Sequence, residues 1–219
     1  MTPETEALVR SATEWAAVPF VPEVTLLTAA EPFGLWGRTE RDAPPFWAFP
    51  WAGGQGLARY VLDHPETVAG RSVLDVASGS GLVAIAAALA GARTVLAGDI
   101  DANALAAIAL NAAANATPAV IPGNVDLAAV DPFAPGPAGR GSAPDVVLAA
   151  DVFYQRDLAT LALAFLKAAR RAGATVLAAD PARAFVPRAE FTALATYEIP
   201  VLEVLEDAAV KQVTIYAIP

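Results

Sequence analysis

Val73-Leu74-Asp75-Val76-Ala77-Ser78-Gly79-Ser80-Gly81 is the stretch that decides the fold. An apolar strand signal runs into a turn of small residues, and an alanine-rich helical run, Leu82–Ala90, follows at once. A strand that feeds a helix through such a turn leaves backbone N–H groups open to a ligand at the helix N-terminus. One carboxylate, Asp75, stands ahead of the turn, and another, Asp99, closes the next apolar strand, while the turn itself holds no Lys or Arg.

Outward from this stretch the same rhythm repeats. Strands are expected at Ser72–Val76, Thr94–Ala97, Ala119–Pro122, Asp145–Ala150 and Ala174–Ala179. Helices Leu82–Ala90, Ala102–Ala114 and Leu158–Ala172 lie between them, with Gly91 and Gly173 as stops and Asp101 and Asp157 as N-caps. A weaker helix, Arg188–Ala195, precedes two final strand runs, Tyr197–Leu205 and Lys211–Ile218. This alternation predicts an α/β fold: a Rossmann-like, doubly wound, mostly parallel seven-stranded sheet with a C-terminal antiparallel hairpin.

Upstream, Thr2 is placed to cap a first helix with Pro3 at its first position, and Leu8, Ala12 and Trp15 share one face of it. Prolines and aromatics then replace alanines up to Pro50, with a short strand at Val24–Leu27 and a loop over Arg38–Pro45. Residues 1–50 therefore read as an irregular helix and loop segment packed on a main domain, 51–219, whose own first helix opens at Gly53-Gly54-Gln55. Asp131–Pro144 is rich in proline and glycine and reads as a loop.

A length of 219 residues suits one domain with a full core. The absence of cysteine and the single histidine exclude disulfides, thiolate nucleophiles and a Cys- or His-built metal centre, so no metal is expected. His64 reads as a loop residue. The apolar runs fall short of the roughly 18 residues that span a bilayer, so no membrane role is expected. Met1–Glu6 is acidic and lacks the basic and apolar regions of a secretory signal, which points to a cytoplasmic protein. A net charge of −9 argues against nucleic acid as partner, because that affinity is mostly phosphate neutralisation. The same charge suits a cationic partner such as a lysine-bearing protein, or serves solubility alone. Nothing speaks to oligomeric state, and a monomer is the default.

Gly79-Ser80-Gly81-Leu82-Val83-Ala84 satisfies the dinucleotide pattern G-x-G-x-x-G/A, with Asp99 placed for a ribose. Asp75 opposes that reading, since a carboxylate beside a pyrophosphate costs about a kcal/mol or more at an effective dielectric near 20. Beside an ammonium or sulfonium it helps by a similar amount. S-adenosylmethionine carries both cations and no phosphate.

Asp75-x-Ala77-x-Gly79-x-Gly81 resembles motif I of the class I, seven-β-strand, S-adenosylmethionine-dependent methyltransferases, with Ala77 in place of the first glycine. Alanine there is a mild change if its φ is negative. Asp151-Val152-Phe153-Tyr154 resembles the D/E-x-x-Y/F signature of the protein lysine methyltransferases in that class. The run from Phe46 to Tyr60, Asp180-Pro181-Ala182-Arg183, and Asn111 with Asn115 are similar to the branch of the electron transfer flavoprotein β-subunit lysine methyltransferase. The resemblance implies S-adenosyl-L-methionine as cofactor, held by Trp51, Asp75, Ala77, Ser78, Gly79, Gly81, Asp99, Ile100, Asn124 and Ala150. Asp99 would hold the ribose diol, Trp51 would lie beside the methionine moiety and Asn124 against adenine.

It further implies a protein lysine as acceptor, that flavoprotein subunit being the leading candidate, with Asp151 and Tyr154 as catalytic residues. Phe153 and Tyr154 would flank the amine. Plainer roles stand beside these: Trp51 as a core aromatic, Asn124 as a turn former, Asp151 as a helix cap. Asn111 and Asn115, four apart, share a helix face and are expected to bond locally. A small amine such as nicotinamide and a ribosomal protein remain as other acceptors. An NAD-dependent dehydrogenase and a non-catalytic binding module remain as other classes.

Overall fold

The computed structural model describes residues 2–30, 45–128 and 143–219. The expected loops over Arg38–Pro45 and Asp131–Pro144 lie outside these residues, except for Pro45, Ala143 and Pro144. A single seven-stranded sheet forms the centre, made of β3 (Ser72–Val76), β4 (Thr94–Asp99), β5 (Val120–Asn124), β6 (Val146–Ala150), β7 (Thr175–Asp180), β8 (Thr192–Pro200) and β9 (Val210–Ala217). Their order is β5-β4-β3-β6-β7-β9-β8. The first five in that order pair in parallel, and β9 pairs antiparallel with both β7 and β8. The expected doubly wound sheet with its C-terminal hairpin is what the chain forms. The strand order reverses between β3 and β6, and in open parallel sheets that switch point leaves a crevice beyond the strand ends.

The parallel strands are buried on both faces, which explains their unbroken apolar text. Val73, Val146, Leu148, Leu177 and Ala179 point to one face with α2 (Ala52–Asp63) and α3 (Leu82–Leu89). Leu74, Val76, Val147, Ala149, Val176 and Ala178 point to the other. That face is covered by α5 (Arg156–Arg171), whose buried Ala159, Ala162, Phe165, Leu166 and Ala169 form one helical stripe. The alanines of α3 let it sit close to the sheet, and Ala84 to Ala87 are fully buried or nearly so.

The N-terminal residues hold more order than their composition predicts. Helix α1 (Pro3–Ala12) starts with the expected Thr2 cap. It ends before Trp15, which lies on strand β1 (Glu14–Val18) and is 47% exposed, not on the helix face expected for it. The Thr13 hydroxyl, donating to the Val9 carbonyl at 2.6 Å, closes the helix, and pairing with β2 (Val21–Thr28) claims the chain that follows. Helix α1, this hairpin and residues 45–49 pack over α4 (Ala102–Ala114).

Two asparagines fasten this layer. The Leu27 N–H donates to Asn111 Oδ1 (2.9 Å), and Asn111 Nδ2 donates to the Ser80 carbonyl (2.8 Å). Asn115 receives the Thr25 N–H (3.0 Å) and donates back to the Thr25 carbonyl (2.7 Å). Besides one local bond from Asn115 to the Asn111 carbonyl, the pair works over long range, giving β2 the partners that a third strand would otherwise supply.

Two further expectations are corrected. Helix α5 begins two residues earlier than expected, so Gln155 occupies the N-cap without a side-chain bond and Asp157 lies in the first turn. There its charge still complements the helix dipole. Arg188–Ala195 is not a helix: only Arg188–Glu190 makes a tight turn, because Thr192–Pro200 is drawn into pairing with β9. The strand expected to reach Leu205 accordingly ends at Pro200, and α6 (Glu203–Glu206) opens the hairpin turn.

Asn111 is fully buried, so Asn111→Ala strands the Leu27 N–H and the Ser80 carbonyl. It should lower unfolding free energy by about 2–4 kcal/mol in a urea titration, and the less buried Asn115→Ala should cost less.

Candidate active site

The turn after β3 is strained and braced from below. Ala77 (φ 52°), Gly79 (φ 56°) and Gly81 (φ 84°) all take left-handed backbone, and Gly81 is the N-cap of α3. Ala77 is therefore not the mild replacement that a negative φ would have made it; an L-residue held there costs roughly 1–2 kcal/mol. Asp75 is 2% exposed and lies beneath the turn, where its carboxyl accepts hydrogen bonds from the Ser78 hydroxyl and the Ala84 N–H. Burial outweighs these bonds and pushes its pKa up to about 7. The Ser78 N–H donates to the Gly98 carbonyl (3.0 Å), tying the turn to β4.

Asp99, at the end of β4, reaches back to the turn. Its carboxylate accepts the Gly79 N–H (2.9 Å) and the Asp101 N–H (3.0 Å), and burial raises its pKa. Asp101 caps α4 as expected, accepting the Asn103 N–H at 2.9 Å. Ile100, beside Asp99, is 69% exposed.

Across the switch point the chain leaves β6 at Ala150, and Asp151 takes the left-handed region (φ 56°). Its Oδ2 accepts the Gly54 N–H at the start of α2 (2.9 Å), and its Oδ1 lies 3.2 Å from the Arg183 guanidinium. Burial pushes the carboxyl up to about 6, against the pull of Arg183. Gly53 is required here, because a Cβ on it would come within 2.6 Å of the Asp151 carboxylate. An aromatic wall stands alongside. Trp51 Nε1 donates to the Phe46 carbonyl (2.8 Å), and the Phe46 ring lies 5.7 Å from Trp51 and 5.1 Å from Tyr154.

These groups line one cavity of about 580 Å³, within the roughly 300–1,000 Å³ usual for ligand sites. Every residue expected to hold the cofactor or to act in catalysis lines it except two. Gly81 sits behind the turn against Ile108, and the exposed Asn124 is passed over for Val125, Asp126 and Leu127. Phe153, expected to flank an amine with Tyr154, is fully buried in the core under α5 and packs on Phe191. The positive φ of Asp151 turns the chain so that Val152 and Phe153 go inward; Phe46 faces Tyr154 instead.

Residues 59–149 match the family model described as Ribosomal protein L11 methyltransferase (PrmA). The chain is 36% identical over 177 residues to the electron transfer flavoprotein beta subunit lysine methyltransferase of Xenopus laevis, covering 78% of this chain and 68% of that protein. To the Homo sapiens protein of the same name it is 38% identical over 192 residues, covering 84% of this chain and 68% of that one. The chain belongs to the electron transfer flavoprotein β-subunit lysine methyltransferase family. It is accordingly a methyltransferase of the S-adenosylmethionine-dependent class. In fold it is similar to the crystal structure of a putative RNA methyltransferase from Pyrococcus horikoshii, with a TM-score of 0.57, 18% identity, and coverage of 80% of this chain and 89% of that one.

Two residues of this methyltransferase escaped sequence reasoning. Arg183 lines the cavity, and Glu206, 5% exposed, holds it. Asp180-Pro181-Ala182-Arg183 carried the only signal for Arg183, a likeness without a role. Nothing local marks Glu206, because the hairpin alone brings it under α2.

Strain at Ala77 gives a stability prediction. Ala77→Gly relieves a positive φ, so it should raise unfolding free energy by up to about 1 kcal/mol despite glycine's freer unfolded chain. In thermal unfolding this appears as a Tm higher by about 2–4 °C at most.

Proposed function

We propose that this methyltransferase transfers the methyl group of S-adenosylmethionine to lysine ε-amines of a protein, and that the β-subunit of electron transfer flavoprotein is its substrate. The observation that carries this reading is the Asp151 carboxylate, held beside the Phe46–Tyr154–Trp51 wall at the end of an acid-lined crevice. The relatives' names supply the acceptor.

The residues suit a cationic nucleoside. Among the described residues, Asp75, Asp99, Asp101, Asp126 and Asp151 line the cavity against one guanidinium, Arg183, which is already paired with two carboxylates. A pyrophosphate would meet mainly like charge, whereas an ammonium or sulfonium meets opposite charge. Asp99 presents two oxygens for a vicinal diol, and the turn from Ala77 to Gly79 lets backbone approach closely. Ala150 brings backbone to the cavity from β6, while Trp51 and Tyr154 close its aromatic side.

Bound S-adenosylmethionine supplies a methyl group already activated by its sulfonium. The amine nitrogen forms the new C–N bond as the C–S bond breaks, S-adenosylhomocysteine leaves, and the extra proton on nitrogen passes to solvent. The protein's task is to align a neutral amine. At the reference lysine pKa near 10.4, only about one amine in a few thousand is neutral at pH 7. The aromatic wall excludes water and lowers that pKa by desolvation. A fall of about two units corresponds to roughly 2.7 kcal/mol. Asp151, with a lone pair left on each oxygen, accepts an N–H of the amine and sets its direction; Tyr154 packs beside it.

Replacing Asp151 with Ala should cut methyl transfer to purified β-subunit by about a thousandfold or more, with cofactor Kd within about threefold by calorimetry. Unchanged turnover would remove Asp151 from the mechanism. Methylation of nicotinamide or ribosomal protein L11, with the β-subunit inert, would replace the acceptor.

Acidity gives a second test. Burial pushes Asp75 up to about 7, so it is largely protonated at pH 5 and charged at pH 8. A cationic ligand favours the charged form. S-adenosylmethionine should therefore bind more tightly as pH rises across that window and release protons on binding, which calorimetry in buffers of different ionisation enthalpy measures. NAD should not bind.

A further inference from the structure

We propose that Arg183, seated by Glu206, is a positioning residue: it fixes the Asp151 carboxylate as an anion in the orientation that receives the substrate amine. This rests on the reading of Asp151 given above.

The placement begins in a turn. Asp180 Oδ1 accepts the Arg183 N–H at 2.6 Å, Pro181 occupies the second position and Ala182 takes φ 66° in the third, the pattern of a type II turn. This aims the guanidinium into the cavity wall, 3.2 Å from Asp151 Oδ1 and 3.4 Å from Glu206 Oε1. Glu206 in turn accepts the Ala52 N–H (3.4 Å), while Asp151 takes the Gly54 N–H (2.9 Å). Two acids thus converge on the first turn of α2, where the helix dipole favours negative charge, and one arginine bridges them.

Asp151 is faced by Arg183 and, with opposite effect, by Glu206 and Asp180. Among the described residues Arg183 is the cation that acts on Asp151, while Asp180 is faced by Arg188 as well. Asp180 Oδ2 and Arg183 Nε are buried without hydrogen-bond partners among the described residues. The guanidinium is therefore committed to the two acids that bracket α2 and not to its own turn. Ion networks of this kind add little stability beyond what apolar packing would give. What Arg183 adds is a fixed charge beside the carboxylate that meets the amine, with one lone pair on each Asp151 oxygen still open.

The test pairs a substrate-independent readout with kinetics. In protein labelled with carboxyl-13C aspartate, the Asp151 resonance is assigned by its loss in Asp151→Asn and its midpoint is followed by NMR. Arg183→Gln should raise that midpoint by about one unit or more, and Arg183→Lys, which restores the charge, should return most of it. With the β-subunit as substrate, Arg183→Gln should lower kcat about tenfold or more and move its acid limb upward by the same interval, with cofactor Kd within threefold. Glu206→Gln should lower kcat at unchanged cofactor Kd, and it carries the test if Arg183→Gln does not fold. An Asp151 midpoint that ignores Arg183→Gln, or a kcat that ignores both Arg183→Gln and Glu206→Gln, would overturn the inference. The earlier reading fails differently: Asp151→Ala would keep its turnover whatever Arg183 does to the midpoint.

Discussion

The Asp75 carboxyl, sealed beneath the turn that ends β3, is the constraint on which the rest of the site depends. Burying an ionisable group costs free energy, and the rise of its pKa to about 7 measures that cost against the bonds from Ser78 and Ala84. Those bonds decide where the turn lies. With Ser78 fixed, Gly79 offers its N–H to Asp99 and Ser80 offers its carbonyl to Asn111. The carboxylate at the end of β4 and the hairpin laid over α4 thus share one anchor. Linkage gives the sign of the associated pH effect. A carboxyl whose pKa is higher folded than unfolded loses stability as pH rises from its unfolded value near 4 through about 7.

Acids gather in this crevice although neighbours resist each other's ionisation, Asp99 that of Asp75 and Asp101 that of Asp99. Burial raises the pKa of Asp75, Asp99 and Asp151 alike, so their negative charge is costly here. A ligand bearing two positive groups offsets that cost. A site built for phosphate would show the reverse, with depressed lysines or unpaired arginines lining it. The carboxylates that line the crevice thus favour a cationic ligand, independent of the glycine spacing that suits two kinds of nucleoside.

The sheet was legible because its signals are local. Buried parallel strands are continuous apolar runs, and glycines and capping acids mark the helix ends between them. What escaped depends on partners distant in sequence. Asn111 and Asn115 are four apart and look like a local pair, yet they bond chiefly to β2. Phe153 adjoins Tyr154 in sequence, but the left-handed backbone at Asp151 sends it into the core. The sign of φ at Ala77 decides whether alanine is mild or strained there, and no residue type reports it. Thr192–Pro200 scores as helix and strand in pieces until β9 claims it as an edge.

The same reasoning explains two motifs that look independent in the chain. Gly53-Gly54 reads as the opening of a helix, and Asp151-x-x-Tyr154 as an acid and an aromatic after a strand. In the folded protein they are one contact. The Asp151 carboxylate lies within 2.6 Å of where a Cβ of residue 53 would be, and the N–H of residue 54 holds it. A side chain at Gly53 would push the carboxylate off both the helix dipole and Arg183, the two sources of positive potential that keep it charged. Glycine at that position is thus a condition on the chemistry of a residue far downstream. The acid can face a substrate only because the helix it leans on presents bare backbone.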